Sequence, residues 1–97
     1  MTALAASTLK IAKCYLLTSA AEAKRMLHLS QAEATPARAL GHIKQAFAVL
    51  TNAIRFAFRV HTLTRGFDRE CQEAFTTIQQ LHRQCTVALD QEASTAT

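Results

Sequence analysis

The middle third of this chain carries two apolar stripes on one helical stretch, and that pattern narrows the folds open to it more than any other feature. Leu40, Ile43, Phe47, Leu50, Ile54 and Ala57 recur at the three-and-four spacing of a helix face, and Ala46, Val49, Ala53, Phe56, Val60 and Leu63 do the same beside them. At about 100° per residue the two stripes are centred about 100° apart, so together they cover more than half of the circumference. Lys44, Thr51, Arg55, Arg59 and Thr62 fill most of the remainder. Such a helix has to be covered on more than one side. It is central in a bundle, or it is also part of an interface. The stretch from Ile54 to Val60 nearly alternates, as a strand would, but the helical period runs through it from both sides and decides for helix.

Local signals place the ends of this helix at about 36–65. Thr35 precedes Pro36, and proline suits the first helical position because its missing N–H is not needed there. Gly66 and Asp68 then read as a stop followed by the N-cap of a further helix. Ahead of this, Leu9, Ala12, Leu16, Ala20, Ala23 and Leu27 define a first helix at about 2–30, with Thr2 as its expected cap. Leu4, Ile11, Tyr15, Met26 and Leu29 are expected to widen its buried stripe, and the pattern lapses over Ser30–Ala34. Beyond the turn, Cys71, Ala74, Ile78, Leu81, Cys85 and Ala88 form three heptads of a helix at about 69–93, with polar Thr77, Gln84 and Gln91 outside. The expected fold is an all-α three-helix bundle, one domain over residues 1–93, with 94–97 as a frayed tail. One rival remains open. The heptad frame crosses Gly66 without a phase shift, which would also suit the second and third helices merged into one of about 55 residues in a dimer. His61, Thr62, Thr64, Arg65 and Asp68 crowd the break with polar groups and favour the turn.

Composition agrees with this. The 97 residues leave room for one domain, and a chain of that size buries roughly two thirds of its unfolded surface, enough to fold without disulfides or metal. Hydrophobic residues make up 49% and charged residues 19%, the opposite of a disordered composition. Nineteen alanines favour helix. The net charge of +4 permits an acidic partner or nucleic acid without requiring either. Cys14, Cys71 and Cys85 are odd in number, and on one helix Cys71 and Cys85 stand about 21 Å apart, too far to bridge. They are expected to be reduced thiols. Lys10 and Lys13 break the N-terminal apolar stretch below what a signal peptide needs, and no run approaches a membrane span, so a cytoplasmic location, or export without a classical signal, and no membrane association are expected.

The candidate chemistry is sparse. His28, His42, His61 and His82 lack companions at metal-ligand spacing; His82 and Cys85 share a face but would need two further ligands. Cys71 lies between Glu70 and Glu73, whose charge works against a reactive thiolate. Gly41 and Gly66 stand alone, so no glycine-rich phosphate loop exists. Neither an enzyme nor a cofactor is expected. What remains is surface. Val49, Phe56, Val60 and Leu63 form the column least obviously covered within one chain, and they are the candidate interface for a second copy or for a protein target. The expected function is regulation by protein–protein binding, of the inhibitor, antiactivator or chaperone kind, as a homodimer. The alternative is a nucleic-acid-binding protein, with Arg55, Arg59 and Arg69 as candidate phosphate contacts on a strip that also holds Arg38 and Arg83.

Overall fold

The computed structural model describes residues 3–95. Three helices follow one another: α1 over Ala3–Ala32, α2 over Pro36–Thr64 and α3 over Arg69–Thr95. They form the expected three-helix bundle. The 30 residues of α1 account for about 45 Å at 1.5 Å per residue, in a molecule measuring 52 × 21 × 16 Å. Of the tail expected at 94–97, Ser94 and Thr95 are helical and 96–97 lie outside the described residues, as does the cap expected at Thr2.

The boundary signals work by different means. Thr35 has the extended backbone of an N-cap and Pro36 follows it, but the threonine side chain caps nothing; its carbonyl simply accepts the first helical hydrogen bond, from the Ala39 N–H at 3.0 Å. Asp68 caps with its side chain, its Oδ1 accepting from the Cys71 N–H at 2.9 Å. That bond favours the carboxylate, so the Asp68 carboxyl is held below its ordinary value.

The merged helix does not form. Arg65 takes a left-handed conformation (φ 57°, ψ 37°), Gly66 follows at φ 134°, and the Gly66 N–H donates back to the His61 carbonyl at 3.0 Å. The reversal begins one residue before the glycine expected to make it. A φ of 134° is closed to side-chain-bearing residues for reasons of backbone sterics alone; there is open space around the Gly66 Cα. Gly41, inside α2, also has open space but ordinary helical backbone. The same substitution therefore has opposite signs at the two sites. Gly66→Ala is expected to destabilise by about 1–3 kcal/mol and Gly41→Ala to stabilise by about 0.5–1 kcal/mol. Urea unfolding of both variants checks this, and like signs would contradict the turn geometry.

The helices run up, down and up. Leu9 and Ala12 near the start of α1 meet Val60 near the end of α2 and Cys71 at the start of α3. Small side chains let the helices approach: Ala20 and Ala23 of α1 and Ala46, Ala53 and Ala57 of α2 share one cluster with Leu16, Leu50 and Ile78. Interaxial distance follows the size of the residues at the contact, and α1 and α2 pack together most extensively. Phe67, in the turn between α2 and α3, belongs to both the main cluster and the smaller one around Leu9 and Val60. It meets the His61 ring at 5.0 Å and the Phe75 ring at 5.6 Å, closing that end of the core.

Candidate functional site

The second stripe of α2 is largely covered within the monomer, and this corrects the interface expected there. Val60 is 3% exposed, held among Leu9, Ala12 and Cys71; it has no surface to give a partner. Val49 is half-buried. Phe56 is half-buried under Tyr15 of α1, with ring centroids 4.6 Å apart. Leu63 alone of the four stands out, at 77% exposure. The homodimer expected through this column loses most of its surface to α1.

The corresponding exposed groups are on α1. Leu4, Ile11 and Tyr15, expected to widen its buried stripe, are 78%, 66% and 40% exposed. The reason is angular. Leu9, Ala12, Leu16, Ala20 and Ala23 define the buried direction of α1, and at about 100° per residue Leu4 and Ile11 point about 120–140° away from it. Spacing alone carries this signal once the buried centre is fixed by the small alanines rather than by the largest side chains.

The Tyr15–Phe56 contact fixes how these groups relate. Because α1 and α2 run antiparallel, going back along α1 and forward along α2 leads the same way. From Tyr15, Ile11 is one turn back and Leu4 two further turns back, all within about 40° of one direction; from Phe56, Leu63 is two turns forward within about 20°. The five residues therefore line one side of the α1–α2 seam over about 16 Å, at 1.5 Å per residue from Leu4 to Tyr15. Around the corner, Phe58 keeps 60% exposure although its ring meets Phe75 edge-on at 5.8 Å. With Arg59, Thr62 and Leu63 it lines a shallow depression of about 430 Å³ on the outer face of α2.

The charges divide by helix. Arg55 and Arg59 are exposed one turn apart on α2. Arg69 is across the turn on α3, ion-paired with Glu73 at 3.2 Å. The reversal at Arg65 thus breaks the expected strip: Arg38, Arg55 and Arg59 belong to one helix, Arg69 and Arg83 to another. α2 carries Arg38, Lys44, Arg55 and Arg59 and no carboxylate, and α1 carries none before Glu22. On the α3 side Glu70 pairs with Lys13.

His82 and the two buried cysteines are each engaged within the fold. The His82 ring stacks on Phe47 at 4.7 Å, with Nε2 3.3 Å from the Thr51 hydroxyl. The Cys71 thiol donates to the Leu9 carbonyl at 3.0 Å; burial, and then the Asp68 carboxylate, push it up to about 11. Burial pushes the Cys85 thiol up as well. Neither is set up as a nucleophile, which requires a lowered pKa or an adjacent base. Among the described residues no three His, Cys, Asp or Glu side chains come together as a metal set, and no helix is long and apolar enough to cross a membrane.

Residues 1–96 match a family described as IPGAL1-like, C-terminal domain. No curated protein and no solved structure matches. A match over almost the whole length settles membership, and the chain belongs to the IPGAL1-like C-terminal domain family.

Proposed function

We propose that this domain works without catalysis, as a regulator that binds a protein through the side of the α1–α2 seam lined by Leu4, Ile11, Tyr15, Phe56 and Leu63. The observation that carries this reading is the alignment of these large apolar groups, three of them more than 60% exposed, along one line of the molecule. Isolated surface apolar residues are ordinary, whereas contiguous ones mark places where proteins meet. Regulation of the inhibitor, antiactivator or chaperone kind needs no more than such a surface. Two occupants suit it: a second copy, giving a homodimer, or a different protein.

Site-specific photocrosslinking in the native host tests the proposal. A photoreactive residue at position 11 or 63 is expected to give a discrete protein adduct, and one at Gln80, on α3, none. Folded protein that gives no adduct from either seam position, or equal adducts from all three, would remove the proposal. An adduct of twice the chain's mass would make the occupant a second copy.

A second reading has its own observation. Four cationic side chains and no carboxylate on α2 suit a phosphate backbone, with Arg55 and Arg59 at its centre. It does not use the apolar seam, and it predicts oligonucleotide affinity that falls steeply with salt.

A further inference from the structure

We infer that the occupant of the α1–α2 seam is an amphipathic helix of another protein, carrying carboxylates along one flank. The inference rests on the seam being a protein-binding surface and adds the chemistry of what it binds. The apolar line of about 16 Å matches three turns of a helix, at about 5.4 Å per turn, and helices dock through anchors spaced in that way.

The two rims differ. On the α2 side Arg59 falls between Phe56 and Leu63, with Arg55 one turn before it, and both are exposed. On the α1 side the residues next to Ile11 are Ser7, Cys14 and Thr18, exposed and uncharged, with the exposed Lys10 about 100° round the helix from Ile11, as Arg55 is from Phe56. Neither α2 nor α1 before Glu22 supplies a carboxylate to balance these arginines. A helix in the seam thus meets Arg59 close along one edge and small uncharged groups close along the other, with Arg55 and Lys10 further round. Carboxylates on the edge facing Arg55 and Arg59 complement it, and lysines there would be repelled. A second copy docked by the same face would bring its own uncompensated cationic rim. The charge pattern favours a different, acidic chain.

The test uses the full chain and synthetic helical peptides of about 18 residues, long enough to cover the seam with a turn to spare. One peptide carries leucines at i, i+4, i+7 and i+11 with glutamates on one flank; another replaces those glutamates with lysines; a third replaces the leucines with serines. Fluorescence anisotropy is expected to show the Glu peptide binding at a Kd of about 10–100 μM. The Lys and Ser peptides should be about tenfold weaker or worse. Arg55→Glu with Arg59→Glu should reverse the preference between Glu and Lys peptides. Ile11→Ser should weaken the Glu peptide, and Val87→Ser, on α3, should leave it unchanged. These sites are exposed, and circular dichroism verifies that each variant is folded. Equal binding of Glu and Lys peptides, no binding of the Glu peptide, or no response to the arginine reversals would overturn the inference. So would a preference for duplex DNA, RNA or anionic vesicles over the Glu peptide when all are titrated under the same conditions. Crosslinking from positions 11 and 63 keeps the outcomes separate: adducts with no charge preference leave the seam a binding surface and remove the acidic helix, whereas absent adducts remove both.

Discussion

Leu50→Ala is expected to cost the fold about 3–5 kcal/mol, the upper part of the range for emptying a fully buried leucine site. Leu50 is 0% exposed and lies in the main cluster with Leu16, Ile78 and the alanines of α1 and α2. The alanines are the reason for placing it high in that range. Helices already in contact through Ala20, Ala23, Ala46, Ala53 and Ala57 cannot move closer to fill the hole, so the cavity term adds to the lost transfer energy. Domains of this size have about 5–15 kcal/mol in total, so the melting midpoint should fall by roughly 4–8 °C for each kcal/mol. Leu63→Ala is the control. It makes the same chemical change in the same helix at 77% exposure, and should stay within about 0.5 kcal/mol. Denaturant unfolding of the pair measures the contrast. Comparable losses would show that Leu63 is buried in the folded species, as it would be in a stable oligomer.

Alkali is expected to weaken the fold through Cys71. The folded-state value of this thiol is raised from an ordinary 9.0 to about 11. A raised acid favours the folded state while it stays protonated. The contribution is therefore complete below about pH 9 and is lost as pH rises towards 11. Two units at about 1.4 kcal/mol each amount to about 2–3 kcal/mol. Cys71→Val removes the ionisation at similar volume. It also removes the thiol's bond to the Leu9 carbonyl, a loss that does not depend on pH. Urea unfolding at pH 8 and pH 11 should show wild type losing more stability than Cys71→Val between the two. Cys85 and Lys13 are shifted upward too, but both remain in each protein, so the difference isolates Cys71. Equal losses would mean that the thiol ionises as readily folded as unfolded.

The helices were legible because several independent signals agreed. Pro36 can begin a helix but not sit inside one, Asp68 offers an oxygen to orphaned N–H groups, and periods of three and four run between them. The turn was harder to read. The heptad frame crosses Gly66 because Phe67 falls in register with Val60 and Ala74, and register records that a residue is buried without recording what buries it. Phe67 is partly buried because the chain doubles back and sets its ring against His61 and Phe75, not because a helix continues through it. The candidate site was half legible. Phe56 and Leu63 stand out in the sequence as apolar surplus on α2, but the spacing of Leu4, Ile11 and Tyr15 on α1 reads as core. On that helix the inward direction is set by Ala12, Ala20 and Ala23 rather than by the largest side chains. Val60 reads as surface for the complementary reason: one helix's pattern cannot say which side its neighbour takes, and α1 takes the side where Val60 lies.

An odd number of helices has a consequence for whatever the domain is joined to. α1 and α3 run parallel, so Ala3 and Thr95 stand at opposite ends of a molecule 52 Å long. A two- or four-helix hairpin returns the chain to where it came in; this one carries it across. Anything joined before Ala3 and anything joined after Thr95 would therefore be held on the order of 50 Å apart, the length of a helix of about 33 residues. The seam opens at the Ala3 end, so a helix seated there would be close to one neighbour and out of reach of the other.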